Sequence, residues 1–203
     1  MSDFNVEQNT NLTPSEQERV SRIADHLAEI LRLIGENPER EGLIKTPMRA
    51  AKALWYATSG YRQDGDAVMQ QAIFEYAGSQ MIIVRDIEFY STCEHHILPF
   101  FGRVSIGYIP DKKMVGLSKL ARLVNVYARR LQVQERMTAQ ICEAVRRNLN
   151  AKGVIVLVEA GHLCMKMRGV EKQDSSTTTV DYSGLFADNS ALREEFFNSL
   201  RTK

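Results

Sequence analysis

In Met81-Ile82-Ile83-Val84-Arg85-Asp86-Ile87-Glu88-Phe89-Tyr90 the helical spacing of the preceding residues gives way to β-branched and aromatic side chains. Such a run suits a half-buried pleated strand better than a helix. A second run over residues 101–109 carries Val104, Ile106 and Tyr108 at alternate positions and predicts a partner strand. Two helices follow, at 118–130 with Leu120, Leu123, Val124 and Tyr127 as the apolar face, and at 135–149. Residues 154–158 are continuously apolar and 177–182 are β-branched, which predicts two more strands before a last helix at 191–200. The body therefore reads ββααββ, an α+β order.

Upstream the chain is helical. Thr13-Pro14-Ser15-Glu16 has the form of a capping box with Pro at the first helical position. Val20, Ile23, Ala24, Leu27, Ile30, Leu31 and Ile34 then recur on one helical face. After the Asn37-Pro38 break, Thr46-Pro47 starts a second helix carrying Ala50, Ala51, Leu54 and Trp55. The expected organisation is an N-terminal helical region, 1–78, and a catalytic region with a C-terminal helix, 79–203, forming one functional domain.

Composition narrows the class. A chain of 203 residues, 44% hydrophobic, can bury a sizeable core. Its 26 basic and 25 acidic residues nearly cancel, which gives no reason to expect nucleic acid or an acidic membrane as partner. The polar start, 1–13, has no apolar core of an export signal, and no apolar run reaches the roughly 18 residues of a membrane span. Three cysteines cannot all pair within the chain, and thiolate ligands suit a reducing compartment, so a cytoplasmic location is expected.

Between the first two strands lies Ser91-Thr92-Cys93-Glu94-His95-His96, and His162-Leu163-Cys164 follows much later. Together they offer two thiolates and three imidazoles. Zinc prefers such ligands, and a catalytic zinc keeps three protein ligands and an open fourth position. Cys93, His96 and Cys164 form such a set, with Cys-x-x-His as the commoner ligand spacing; a pair of buried thiols is the alternative. In extended chain His95 points away from His96, which leaves it for acid/base work, and His162 falls on the same side as Cys164. Cys142, at helical spacing with Thr138, Val145 and Leu149, reads as a small buried side chain, and His26 receives no role.

Ser118 is a natural N-cap in Gly116-Leu117-Ser118-Lys119, with Lys119 and Arg122 on the same helix start. Free N–H groups and two cations there suit a phosphate ester, although a solvated basic face has the same composition. Arg168, four residues past Cys164, brings a further cation. Gln134-Glu135 opens the next helix; Glu135 is either a helix-dipole partner or an acceptor for the paired N1–H and amine donors of guanine, with Gln134 addressing a neighbouring polar edge. No Walker-type phosphate loop is present.

The segments Ser91-Thr92-Cys93-Glu94-His95-His96, Gly116-Leu117-Ser118-Lys119-Leu120-Ala121-Arg122, Gln134-Glu135-Arg136 and Gly161-His162-Leu163-Cys164-Met165 resemble GTP cyclohydrolase I. The resemblance covers most of the chain after about Gly42. It implies the T-fold, an antiparallel four-stranded sheet with two helices on one face. It implies Zn2+ on Cys93, His96 and Cys164, with His95 and His162 handling protons and Ser118 assisting the sugar rearrangement. Ser118, Lys119, Arg122 and Arg168 would receive the triphosphate, and Gln134 with Glu135 the guanine. The implied reaction opens the imidazole ring of GTP, releases C8 as formate and forms 7,8-dihydroneopterin triphosphate, the first step of folate or pterin synthesis. The family assembles as homo-oligomers, usually decamers, with sites at subunit interfaces. Two competitors predict different sites: a nitrile reductase of the same fold needs a nucleophilic Cys without the zinc triad, and a structural zinc module needs a fourth protein ligand.

Overall fold

The computed structural model describes residues 12–201, so most of the polar start read for an export signal lies outside the described residues. By its internal contacts the chain divides into a unit ending at Tyr56 and a second beginning at Ala57. In the first, helix α1 (Pro14–Leu33) opens on the capping box: the Thr13 hydroxyl accepts from the Glu16 N–H, and the Glu16 carboxylate accepts from the Thr13 N–H at 2.9 Å. Val20 and Ala24 of α1 are buried with Ala51 of α2 (Thr46–Ala57), and Leu12, Ile23, Leu27 and Trp55 pack around them.

In the second unit a 3-10 turn (Ser59–Arg62) and α3 (Gly65–Gln70) come first. Both are tied to the body. The Gly60 N–H donates to the Arg129 carbonyl at 2.9 Å, and Arg147 donates to the Asp66 carboxylate at 2.6 Å. Next come β1 (Ile73–Glu75), β2 (Ile82–Cys93), β3 (Pro99–Ile109), β4 (Lys113–Val115), α4 (Leu117–Ala128), β5 (Leu131–Gln132) and α5 (Gln134–Leu149). The chain then continues through β6 (Gly153–His162), α6 (Leu163–Lys166), β7 (Thr177–Gly184), α7 (Leu185–Asp188) and α8 (Ser190–Arg201). Among the described residues no helix is long and apolar enough to cross a membrane.

The fold is mixed α+β with antiparallel pairing throughout its long strands. The main sheet has five strands in the order β5-β2-β3-β6-β7, where the sequence predicts four; the fifth is the two-residue β5, parallel to β2 at Thr92 and Cys93. Two residues are too few to show a strand period, so β5 had no signature. A separate two-stranded sheet pairs β1 with β4. β2 also carries a bulge between Val84 and Ile87, where Asp86 adopts φ 59°, so its alternation is broken at Arg85-Asp86.

Both faces of the sheet are covered, which explains the continuous apolar run at 154–158. Val154, Val156 and Val158 join the core formed with Leu120, Leu123 and Val124 of α4 and Ile141 and Val145 of α5. Ile155 and Leu157, pointing the other way, pack with Phe186 of α7 and Phe196 of α8. The sequence places two helices on one face; the second apolar layer on the reverse face is supplied by the C-terminal helices.

Pairing of β3 with β6 is close at Gly102, where a Cβ would lie 1.8 Å from the Glu159 carbonyl oxygen. The two strands would have to part, and Phe100, two residues along, faces His162 in the same register. Gly102→Ala is therefore expected to destabilise the protein by about 3 kcal/mol, as overpacking against backbone does. Denaturant unfolding would measure it, and a midpoint equal to the wild type would contradict this packing.

Candidate active site

β2 extends past Tyr90 and ends on Cys93, after which Glu94, His95 and His96 form a turn. The Ile97 N–H donates to the Cys93 carbonyl at 2.9 Å and the Cys93 N–H to the Leu98 carbonyl at 2.8 Å, with Ile97 at φ 55°. The two histidines are thus not on opposite sides of an extended segment, as the sequence argument assumed. Their rings stand edge to face with centroids 6.3 Å apart. The same turn allows Cys93 and His96, three residues apart, to converge on one point.

The turn is fastened to the connector between α4 and α5. The Glu94 N–H donates to the Gln132 carbonyl at 3.0 Å, and the Glu94 carboxylate pairs with Arg136 at 2.5 Å. Glu94 is therefore an anchor of the turn, a role the sequence left unassigned. Cys164 arrives by register. β6 pairs with β3 so that His162 lies opposite Phe100, and the helical turn α6 then carries Cys164 back beside Cys93. The chain coils immediately after His162, so the same-side argument for extended chain does not apply to His162 and Cys164.

The ligand atoms of Cys93, His96 and Cys164 all lie within 4.8 Å of one another. Cys93 is buried, Cys164 half-buried and His96 exposed. Burial pushes the Cys164 thiol up, and the neighbouring Cys93 pushes it further, while Arg168 acts in the opposite direction. Two adjacent thiols beside an imidazole form a donor set that a cation would complete. With soft sulfur ligands and one imidazole the set fits zinc, and three protein ligands would leave a fourth position for water.

His162 stands next to this cluster. Its ring lies flat on Phe100, centroids 4.5 Å apart and planes at 4°, and its Nε2 is 2.8 Å from the Gln134 Oε1. Burial lowers its pKa and the charge of Glu135 works against that shift. Gln134 is 1% exposed, and its amide nitrogen donates to the carbonyls of Val158 and Thr177 and to Thr179 Oγ1. Both ends of its amide are therefore engaged inside the protein. Glu135, the next residue of α5, is exposed.

The basic helix start lies elsewhere in the chain. Gly116, not Ser118, is the N-cap of α4, and Ser118 is the second helical residue. Ser118 and Arg122 are exposed, and Lys119 donates to Gln71 Oε1 at 2.7 Å. α4 runs from β4 to β5, and β5 lies beside Cys93. At about 1.5 Å per residue Ser118 and Lys119 stand about 14 to 15 Å along the axis from the cysteine end of the helix, and Arg122 about 9 Å. Among the described residues no hydrogen bond or ion pair joins them to the cluster. Arg168, exposed after α6, is close enough for its charge to act on Cys164.

Cys142 is 2% exposed, and burial, with Asp181 adding, pushes its thiol up to about 12, so it packs as an inert apolar group. Phe100, Gln71, Thr138 and Thr179 were not identified from sequence. Their parts depend on strand register and helix docking, which leave no local signature.

The apo crystal structure of the archaeosine synthase QueF-Like aligns with 54% of this chain and 97% of its own, at TM-score 0.43 and 20% identity. GTP cyclohydrolase 1 of Porphyromonas gingivalis is 56% identical over 182 residues, 90% of this chain and 94% of that protein. GTP cyclohydrolase 1 of Campylobacter jejuni is 54% identical over 181 residues, 89% of this chain and 95% of that protein. The family model for GTP cyclohydrolase I matches residues 23–201, a span that holds the Cys-His-Cys cluster, His162, Glu135 and the start of α4, and the chain belongs to the GTP cyclohydrolase I family.

Proposed function

We propose that this protein is a zinc-dependent GTP cyclohydrolase I, which opens the imidazole ring of GTP, releases formate and forms 7,8-dihydroneopterin triphosphate, the first step of folate or pterin synthesis. The observation that carries the reading is the convergence of Cys93, His96 and Cys164 within 4.8 Å beside an engaged His162. A zinc ion on those ligands would supply a Lewis acid that lowers the pKa of a bound water towards neutrality.

The chain's own residues do the rest. His95, on the turn that carries His96, and His162, on the strand that precedes Cys164, are the proton carriers on either side of the cluster. Ser118 assists proton transfer in the sugar rearrangement. Arg168 meets the triphosphate from the cysteine side, and the N–H groups at the start of α4 with Ser118, Lys119 and Arg122 meet it from a second direction. Glu135 holds guanine by accepting from N1–H and the exocyclic amine. Gln134, whose amide is engaged inside the protein, serves that pocket through its neighbours and not through a guanine contact.

The separation of about 15 Å along α4 between Ser118 and the cysteine end favours a site completed by another copy of the chain, in keeping with a homo-oligomer, expected as a decamer. The long elements β2, β3, α4, α5, β6 and β7 support the T-fold, with the catalytic region within residues 79–203. A reducing cytoplasm would keep the ligand thiols free.

The test is incubation of the zinc-loaded protein with GTP, following formate and dihydropterin, with Cys93→Ala and a chelated sample alongside. Formate release by the wild type alone is expected; a metal-replete protein that leaves GTP intact would end the proposal. Glu135→Ala removes two hydrogen bonds to a charged acceptor, together about 3 kcal/mol, so KM for GTP is expected to rise roughly a hundredfold. With inosine triphosphate, which keeps N1–H but lacks the amine, the same substitution removes a single hydrogen bond, about 1.5 kcal/mol, so KM is expected to rise only about tenfold. Equal losses with both nucleotides would place Glu135 outside guanine recognition.

A further inference from the structure

A buried chain of hydrogen bonds ends on His162, and the donor and acceptor of each can be assigned. Thr138 Oγ1 donates to the main-chain carbonyl of Gln134 at 2.7 Å, which uses its hydroxyl hydrogen. Thr179 Oγ1, 2.7 Å from Thr138 Oγ1, is then the donor of that pair. Having donated there, it accepts from the Gln134 amide nitrogen at 3.1 Å. The same nitrogen faces the carbonyls of Val158 and Thr177, each at 3.0 Å, and a carbonyl only accepts. Exchanging the amide ends would set Oε1 against two carbonyl oxygens in a site 1% exposed. The Gln134 Oε1 must therefore be the atom 2.8 Å from His162 Nε2.

A carboxamide oxygen cannot donate, so the ring nitrogen facing it carries the hydrogen. The geometry points to Gln134 as a positioning residue that holds His162 as the Nε2–H tautomer, leaving the Nδ1 lone pair as the ring position open to a substrate proton. Turning the ring over would put a carbon against Oε1 and lose the bond, and Phe100, parallel at 4.5 Å, holds the ring plane. A proton taken from the substrate forms an N–H bond at Nδ1, leaves a ring cation whose Nε2–H still donates to Gln134, and returns from Nδ1 in a later step. Because Thr138 and Thr179 orient the amide from behind, the docking of α5 on β6 and β7 sets which nitrogen of His162 is available. The inference rests on the reading of His162 as a proton carrier.

Solid-state NMR of the zinc-loaded protein labelled with 15N-histidine reads the tautomer without turnover, the His162 signals being identified by their loss in His162→Ala. At neutral pH the wild type is expected to show Nε2–H at His162, and Gln134→Leu a mixture of tautomers. In that variant kcat should fall about 10- to 100-fold, as when a residue orienting a site histidine is removed. KM for GTP and zinc content should not change. An Nδ1–H signal in the wild type, or Gln134→Leu with undiminished kcat, overturns the assignment. Should Gln134→Leu fail to fold, the wild-type tautomer alone decides. Undiminished formate release by His162→Ala would instead remove the proton-carrier reading while the tautomer assignment stands.

Discussion

Cys164→Ala is expected to lose bound zinc and about three orders of magnitude in formate release from GTP. Its thiol is one of three ligand groups within 4.8 Å, and the other two sit on a single turn, Cys93 to His96. That turn alone offers two ligands, too few for an open catalytic site. A Lewis acid contributes several kcal/mol to a reaction of this kind; losing about 4 kcal/mol at 1.36 kcal/mol per tenfold gives the thousandfold figure. The fold should survive the change, because Cys164 lies on the short turn α6 and is only half-buried. Metal content by atomic absorption and formate release would be measured on the same preparation. A zinc-loaded, active Cys164→Ala protein would mean that the three groups are not the ligand set. The burial that pushes the Cys164 thiol up and the adjacent Cys93 that pushes it further imply that the metal must displace protons to bind, so loading should weaken in acid.

His95→Ala and His162→Ala are each expected to lower kcat about 10²- to 10⁴-fold, the range for a positioned acid or base, with zinc retained. The two are distinguished by their surroundings. His95 is exposed on the turn, its ring edge to face with that of His96. His162 is held on three sides: by Phe100 against its ring, by Gln134 at Nε2 and by the strand that delivers it. Loss of His162 should therefore also disturb the Gln134 amide, whose oxygen is left in a buried site without its donor. A modest fall in stability is expected for His162→Ala and none for His95→Ala. Retention of full kcat in either variant would assign the proton transfers to other groups.

Much of this site was readable in the chain. Cys93, His96 and Cys164 were assigned from residue type and a three-residue spacing, because ligand chemistry restricts the candidates severely. The capping box at Thr13 and the helix start at Gln134 were equally plain, since caps are local. Arguments that assumed extended backbone fared differently. The segment around His95 and His96 is a turn, the chain after His162 is helical, and Gly116 takes the cap position predicted for Ser118. In each case the backbone carrying the side chains differs from the expectation, because a turn of three residues has no periodicity to read.

What the sequence by itself determined is the chemistry on offer: two thiols and an imidazole for a metal, two further histidines, a basic helix start, an acid at the head of α5, and the family to which they belong. What only the tertiary structure decided is which of these groups meet and which way they face. Register between β3 and β6 sets His162 against Phe100 and brings Cys164 to Cys93. Docking of α5 on β6 and β7 takes Gln134 out of contact with solvent and turns its amide oxygen to His162, while the length of α4 separates Ser118 and Lys119 from the cluster. The reason is physical: ligand type and helix caps are properties of a few neighbouring residues, whereas burial and register are settled by packing between segments far apart in the chain.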